Sequence, residues 1–141
     1  RGDLEELAGG PLNGLELYRS SFLLWSGDMG PLAGMKVEKR CCAMDILPTL
    51  SNLMGLSYDS RLLAGRDIFS DAQGLVVFCD YSWMTDLGYF SSVSGKFTPW
   101  EGVQLEDPAA YAAAVTDRVA KLYRVSALVL DTDYYRVISS E

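Results

Sequence analysis

The chain has 141 residues, 49% of them apolar and 22% charged, which gives it enough hydrocarbon for a folded core and excludes a disordered polymer. A formal charge of −7, with no Lys/Arg cluster to offset it, excludes nucleic acid and anionic membrane surfaces as expected partners. No apolar run approaches the ~20 residues of a membrane helix. The chain opens on Arg1 in place of Met, and the expectation is a piece cut from something longer.

Taken in order, residues 3–8 read as a short acidic helix, followed by a turn rich in Gly9, Gly10, Pro11, Asn13 and Gly14. Residues 17–25 read as a strand, because Phe22-Leu23-Leu24-Trp25 is a continuous apolar run bounded by Ser26-Gly27-Asp28, as in a strand covered on both faces of a parallel sheet. A loop over 27–34 and the charged stretch Lys36-Val37-Glu38-Lys39-Arg40 follow. Arg40 is expected to be solvated, with a hydrogen bond to Asp45 as the alternative. Cys41, Cys42 and Cys79 form no disulfide framework, and three buried, unbridged thiols are expected.

Residues 45–55 carry the punctuation of a short helix. Asp45 is the expected N-cap, accepting from amides two and three residues on; Pro48 falls in the first turn and Gly55 at C′. Ile46, Leu47, Leu50, Leu53 and Met54 recur at spacings of three and four, which predicts a hydrocarbon face buried against the protein. In Gly65-Arg66-Asp67, the expected role of Arg66 and Asp67 is to tie the loop to this helix, a phosphate clamp being the alternative.

Residues 75–79 read as another covered strand, and residues 83–92 and 96–100 as a hairpin around Ser94-Gly95. The aromatics Tyr81, Trp83, Tyr89, Phe90, Phe97 and Trp100 suit core packing, with a sugar-binding platform as the alternative. Asp107 caps the longest predicted helix, with Pro108 at N1 and a stripe of Tyr111, Val115, Val119 and Leu122, then Val125 or Ser126 and Val129. Asp131-Thr132-Asp133 is expected to be a solvated connection, a divalent-cation site for a nucleotide-sugar diphosphate being the weaker alternative, and residues 134–138 a last strand.

Asp45-Ile46-Leu47-Pro48-Thr49-Leu50, the helix end Leu53-Met54-Gly55-Leu56 and Gly65-Arg66-Asp67-Ile68-Phe69-Ser70 together resemble the C-terminal signature of the sulfatase-like branch of the alkaline phosphatase superfamily. The likeness is strongest to lipoteichoic acid synthases and related phosphoglycerol transferases. Residues 17–26 resemble the strand before that signature and residues 75–95 the strands after it, with Gly95-Lys96 resembling a pair that follows the turn of a small antiparallel sheet. The likeness covers roughly residues 15–138.

The resemblance implies an α/β fold: the C-terminal portion of an alkaline phosphatase-like fold, with core strands plus helices and a small antiparallel sheet packed by a long C-terminal helix. Residues 1–141 would be one C-terminal subdomain of a larger protein, residues 1–80 completing the main sheet and residues 81–141 forming the hairpin and long helix. The implied activity is metal-dependent transfer or hydrolysis of phosphate or sulfate esters on cell-envelope lipids or glycans. It implies an extracytoplasmic enzyme, membrane-anchored through an upstream region, with one Mn²⁺ or Ca²⁺ and a Thr or modified Ser/Cys nucleophile. In the family the nucleophile and metal ligands lie upstream, ending with an Asp-His pair, and this chain has no His. No catalytic, cofactor-binding or metal-binding residue is therefore expected within it, and its expected partner is the upstream part of the same polypeptide. The alternative is a self-standing, non-catalytic glycan- or protein-binding module.

Overall fold

The computed structural model describes residue 6, residues 14–28 and residues 30–138, and the chain divides into two units, Arg1–Lys36 and Val37–Glu141. In the first unit, the expected helix over residues 3–8 and most of the turn after it lie outside the described residues, Glu6 and Gly14 excepted. Single 3₁₀ turns form at Glu16–Tyr18 and Gly30–Leu32. The strand expected over residues 17–25 is not formed: it begins inside the first of these turns and continues without regular structure, with Leu23 and Trp25 89% and 86% exposed. A strand draws its hydrogen bonds from a neighbour, and among the described residues none pairs with this segment.

The second unit is mixed α/β. Its first helix, Ile46–Leu53 (α1), precedes four strands, Leu75–Val77 (β1), Trp83–Thr85 (β2), Gly88–Ser91 (β3) and Lys96–Pro99 (β4). They form an antiparallel meander in chain order, with Val76 opposite Met84, Met84 opposite Tyr89 and Tyr89 opposite Thr98. The expected arm over residues 83–92 is thus two strands, folded at Asp86-Leu87. Gly88 permits that fold, since a Cβ there would lie 2.5 Å from both the Phe97 ring and the Thr98 carbonyl oxygen. The second turn is closed by Gly95 at φ +66, as the hairpin reading requires. β1 is an edge strand of this sheet, shorter than expected and half-buried along its length.

Pro108–Asp131 (α2) packs on one face of the meander. Asp107 caps it as expected, its Oδ1 accepting from the amides of Ala109 at 3.0 Å and Ala110 at 2.9 Å, and Pro108 takes the position where a missing N–H costs nothing. Trp83 and Val119 are fully buried between sheet and helix, with Ala112 beside them. The Trp83 ring stacks on Phe90 and Phe97 at 5.3 and 5.5 Å, and its indole N–H donates to Thr116 Oγ1 at 3.0 Å. Tyr111 and Tyr123 hydroxyls donate to Thr85 Oγ1 and the Phe78 carbonyl, both at 2.8 Å, so α2 is fastened at both ends of the sheet. Beyond them its apolar stripe runs into solvent at Val125 and Leu128.

Residues 134–138 are helical, not the expected strand (Tyr134–Ile138, α3). Asp133 turns the chain at φ +47, and the amides of Arg136 and Val137 then bond to its carbonyl. No strand lies alongside among the described residues, so local helical bonds satisfy the backbone.

Candidate functional site

The segments that carry the sequence signature are joined by polar contacts. A 3₁₀ turn, Ala43–Asp45, with Cys42 at its own N-cap, runs directly into α1, and Asp45 holds the N-cap position of α1 as expected. Asp45 makes no cap bond within α1; its Oδ2 reaches back to the Cys42 amide at 2.9 Å, the reciprocal half of a capping box. Its Oδ1 accepts from the Arg66 amide at 2.8 Å, 21 residues on. One turn later, Thr49 Oγ1 donates to the Asp45 carbonyl at 2.6 Å and accepts from the Ile68 amide at 3.1 Å. Asn52 Nδ2 donates to Asp67 Oδ2 at 2.8 Å, while Asp67 Oδ1 accepts from the Phe69 amide. Gly65 admits this closure, since a Cβ there would sit 1.9 Å from the Met44 carbonyl oxygen.

These bonds turn α1 over relative to expectation. Its buried side is polar, with Thr49 1% and Ser51 5% exposed behind a buried Asp45, whereas Leu47, Met54 and Leu56 are exposed. The side chains that bond the Gly65–Ser70 turn must face it, and of the apolar stripe Leu47, Leu53 and Met54 are left exposed while Ile46 and Leu50 are half-buried. Gly55 does stand at C′, at φ +64, with the Leu56 amide bonded to Ser51 O at 2.8 Å.

Neighbouring cations serve the same closure. Arg66 Nη1 donates to Gln73 O at 3.1 Å and Lys39 Nζ to Ser70 O. Arg40 is partly solvated, its side chain 38% exposed, and is not bonded to Asp45: it pairs with Asp86 at 3.6 Å and lies over the Trp100 ring at 4.7 Å. Asp86 also accepts from the Gly74 amide at 3.0 Å. A narrow crevice lies among Arg40, Cys41, Asp45, Arg66 and Gln73, with room for ordered water. Arg66 and Asp67 thus tie the loop, as expected, through the Arg66 amide on Asp45 and the Asp67 carboxylate on Asn52. A wider open groove of about 800 Å³ lies between the β3–β4 hairpin and α2, with Phe90, Phe97 and Ala112 along it. Of its charged residues, Asp117 is held by Lys121 at 2.6 Å.

The aromatic hairpin is mostly core. Trp83 is fully buried, and Trp100 donates its indole N–H to Thr85 O at 2.9 Å beneath Arg40. Of the six aromatics that suggested a sugar platform, Tyr81 is the large exposed one. The cysteines are unbridged as expected, but Cys41 and Cys79 are exposed, and Cys42 is half-buried with Sγ 3.7 Å from Leu75 O. Burial pushes the Cys42 thiol up from its ordinary value, and burial with the nearby Asp45 does the same for Cys41. Asp131 and Asp133 are exposed at the end of α2, with the Asp133 carboxylate paired to Arg136. Among the described residues no three His, Cys, Asp or Glu side chains converge as metal ligands.

Sequence reasoning missed Thr49, Asn52 and Asp86 as cross-linking side chains. The Asp86-Leu87-Gly88 turn signal was available for the last; nothing local marks the partners of the other two. No family model, curated protein or solved structure matches this chain.

Proposed function

We propose that the chain is the non-catalytic C-terminal part of a metal-dependent, sulfatase-like enzyme of the cell envelope, a phosphoglycerol transferase or a sulfuric or phosphoric ester hydrolase. The observation that carries this reading is the interlock: Asp45 and Thr49 of the first motif bind the amides of Arg66 and Ile68 of the second. Motifs separated in sequence are here one structural element, which gives a physical reason for their occurring together. The antiparallel sheet followed by a long helix agrees in outline with the arrangement the resemblance implies. The outward apolar face of α1 supports a role as a packing surface for the upstream part of the same polypeptide.

In this reading the divalent cation, Mn²⁺ or Ca²⁺, lowers the pKa of a nucleophile and neutralises the transferring group, and its ligands belong to that upstream part. The described residues of this chain do not fit a metal of their own, and no catalytic step is assigned to them. Their work is positional: the Asp45–Arg66 closure fixes α1, and α1 presents Leu47 and Met54 to the remainder of an extracytoplasmic, membrane-anchored enzyme.

The test compares this chain with a version extended upstream along its reading frame, each assayed with Mn²⁺ and with Ca²⁺ on p-nitrophenyl phosphate, p-nitrophenyl sulfate and a fluorescent phosphatidylglycerol. The expected result is metal-dependent turnover of at least one substrate by the extended protein and none by this chain. Turnover by this chain, or silence from a folded extended protein on every substrate with both metals, overturns the reading.

A further inference from the structure

The connection between β1 and β2 holds Tyr81 at φ +66, a left-handed conformation that glycine or asparagine adopts readily and a residue with a bulky side chain does not. Tyr81 is also 52% exposed, so burial does not explain why an aromatic stands there. Its ring is propped 4.2 Å from that of Tyr123, at an interplanar angle of 38°. Both residues are fixed by one acceptor: the Phe78 carbonyl takes the Tyr81 amide at 3.0 Å and the Tyr123 hydroxyl at 2.8 Å.

The next-door carboxylate is equally fixed. Asp80 accepts from the Ser82 amide at 2.9 Å and the Ser82 hydroxyl at 2.8 Å, and Ser82 is itself buried and bonded to Ser92. Those bonds hold the Asp80 carboxyl below its ordinary pKa, so it is ionised at neutral pH while remaining open to solvent. The groups whose charge raises the Tyr123 hydroxyl, after burial, are Tyr81, Cys79 and Asp80, all anionic when ionised. The exposed part of the Tyr81 ring, one residue along the chain from the solvent-open Asp80 carboxylate, suits a cation, and best one too weakly hydrated to prefer water.

We propose that Tyr81, Tyr123 and Asp80 form a binding site for an alkylammonium group, of the kind carried by a choline headgroup or a lysine side chain. The rings supply a cation–π surface and Asp80 the counter-charge. The site lies wholly within the connection after β1 and one turn of α2, and it stands whether or not the chain belongs to a sulfatase-like enzyme.

The test is an amide-shift NMR titration of the whole chain with choline, with N-acetyl-lysine methylamide, with neutral neopentyl alcohol and with methyl glucoside. Saturable shifts at residues 79–82 and 123 with either or both cations, and none with the alcohol, are expected, the two cations distinguishing a headgroup from a peptide source. Asp80→Asn keeps an oxygen for the Ser82 amide and is expected to weaken binding about tenfold in a chain that stays folded, as its amide spectrum reports. Tyr81→Phe retains binding and Tyr81→Leu loses it. An equal response to the neutral alcohol, a response to the glucoside alone, unchanged affinity in Asp80→Asn, or a silent titration of the folded chain overturns the proposal.

Discussion

Thr49→Val isolates the hydrogen bonds of the interlock, because valine keeps the shape and volume of threonine and removes only the hydroxyl. Thr49 is 1% exposed, and its Oγ1 both accepts from the Ile68 amide at 3.1 Å and donates to the Asp45 carbonyl at 2.6 Å. The Asp45 carbonyl also lies within the helix ladder, so losing the hydroxyl costs it little. The Ile68 amide loses its acceptor, a penalty of about 1–3 kcal/mol. With the lost bond to Asp45 added, Thr49→Val is expected to cost about 2–3 kcal/mol, and Thr49→Ser, which keeps the oxygen and deletes one methyl, about 1 kcal/mol. With a urea slope of about 1–3 kcal/mol per molar, the Val variant's midpoint falls by about 1 M at unchanged slope. A Val variant as stable as the parent, or a Ser variant less stable than Val, refutes the inward-facing polar side of α1.

Other consequences are checked by simple measurements. Gly65→Ala places a Cβ 1.9 Å from the Met44 carbonyl and is expected to cost more than ~3 kcal/mol in urea melts, whereas Gly55→Ala, with φ +64 and open space around it, costs about 1 kcal/mol. With a thiol reagent at pH 8, exposed Cys41 and Cys79 are expected to label in the native state and half-buried Cys42 only slowly, with complete labelling of all three after denaturation; native protection of Cys79 contradicts this. Asp59, hydrogen-bonded to the Arg61 guanidinium and amide, has its carboxyl pKa lowered to about 2. Because its folded value lies below its unfolded value, the stabilisation is present above the unfolded pKa and lost as pH falls through the folded one. A carboxyl NMR titration of Asp59 should therefore show a midpoint near the bottom of the acid range, and Arg61→Ala should return it toward the usual carboxylate value.

What the sequence revealed was local. The Asp107-Pro108 start of α2, Gly55 at the end of α1 and the Gly95 turn are written in neighbouring residues, and each stands where spacing and turn chemistry put it. The misreadings came from partners far along the chain. Asp45 has the right residue type for a helix cap, yet its two carboxylate oxygens serve Cys42 and Arg66. The apolar period of residues 46–54 is real, but periodicity identifies a hydrophobic face without saying what lies against it, and here the Gly65–Ser70 turn claims the opposite side through Thr49 and Asn52. Phe22-Leu23-Leu24-Trp25 and Tyr134–Ile138 have strand-forming composition, which specifies a strand only where a neighbour completes the ladder. In the sequence Tyr81 is one of six aromatics with nothing to set it apart, because its distinction lies in a backbone angle and a stack on Tyr123, 4.2 Å away.

In the proposed reading, the exposed apolar residues of α1 would pack against an upstream part of the same polypeptide. Leu47, 58% exposed, is the most direct probe. Leu47→Asp should be measured by thermal denaturation in this chain and in the upstream-extended protein. In this chain an exposed substitution is expected to change stability by less than ~0.5 kcal/mol, whereas beneath a packed partner an unpaired charge costs about 3 kcal/mol or more, a fall in melting temperature of several degrees. A large loss confined to the extended protein is expected; equal, negligible shifts in both proteins rule out a partner on this face.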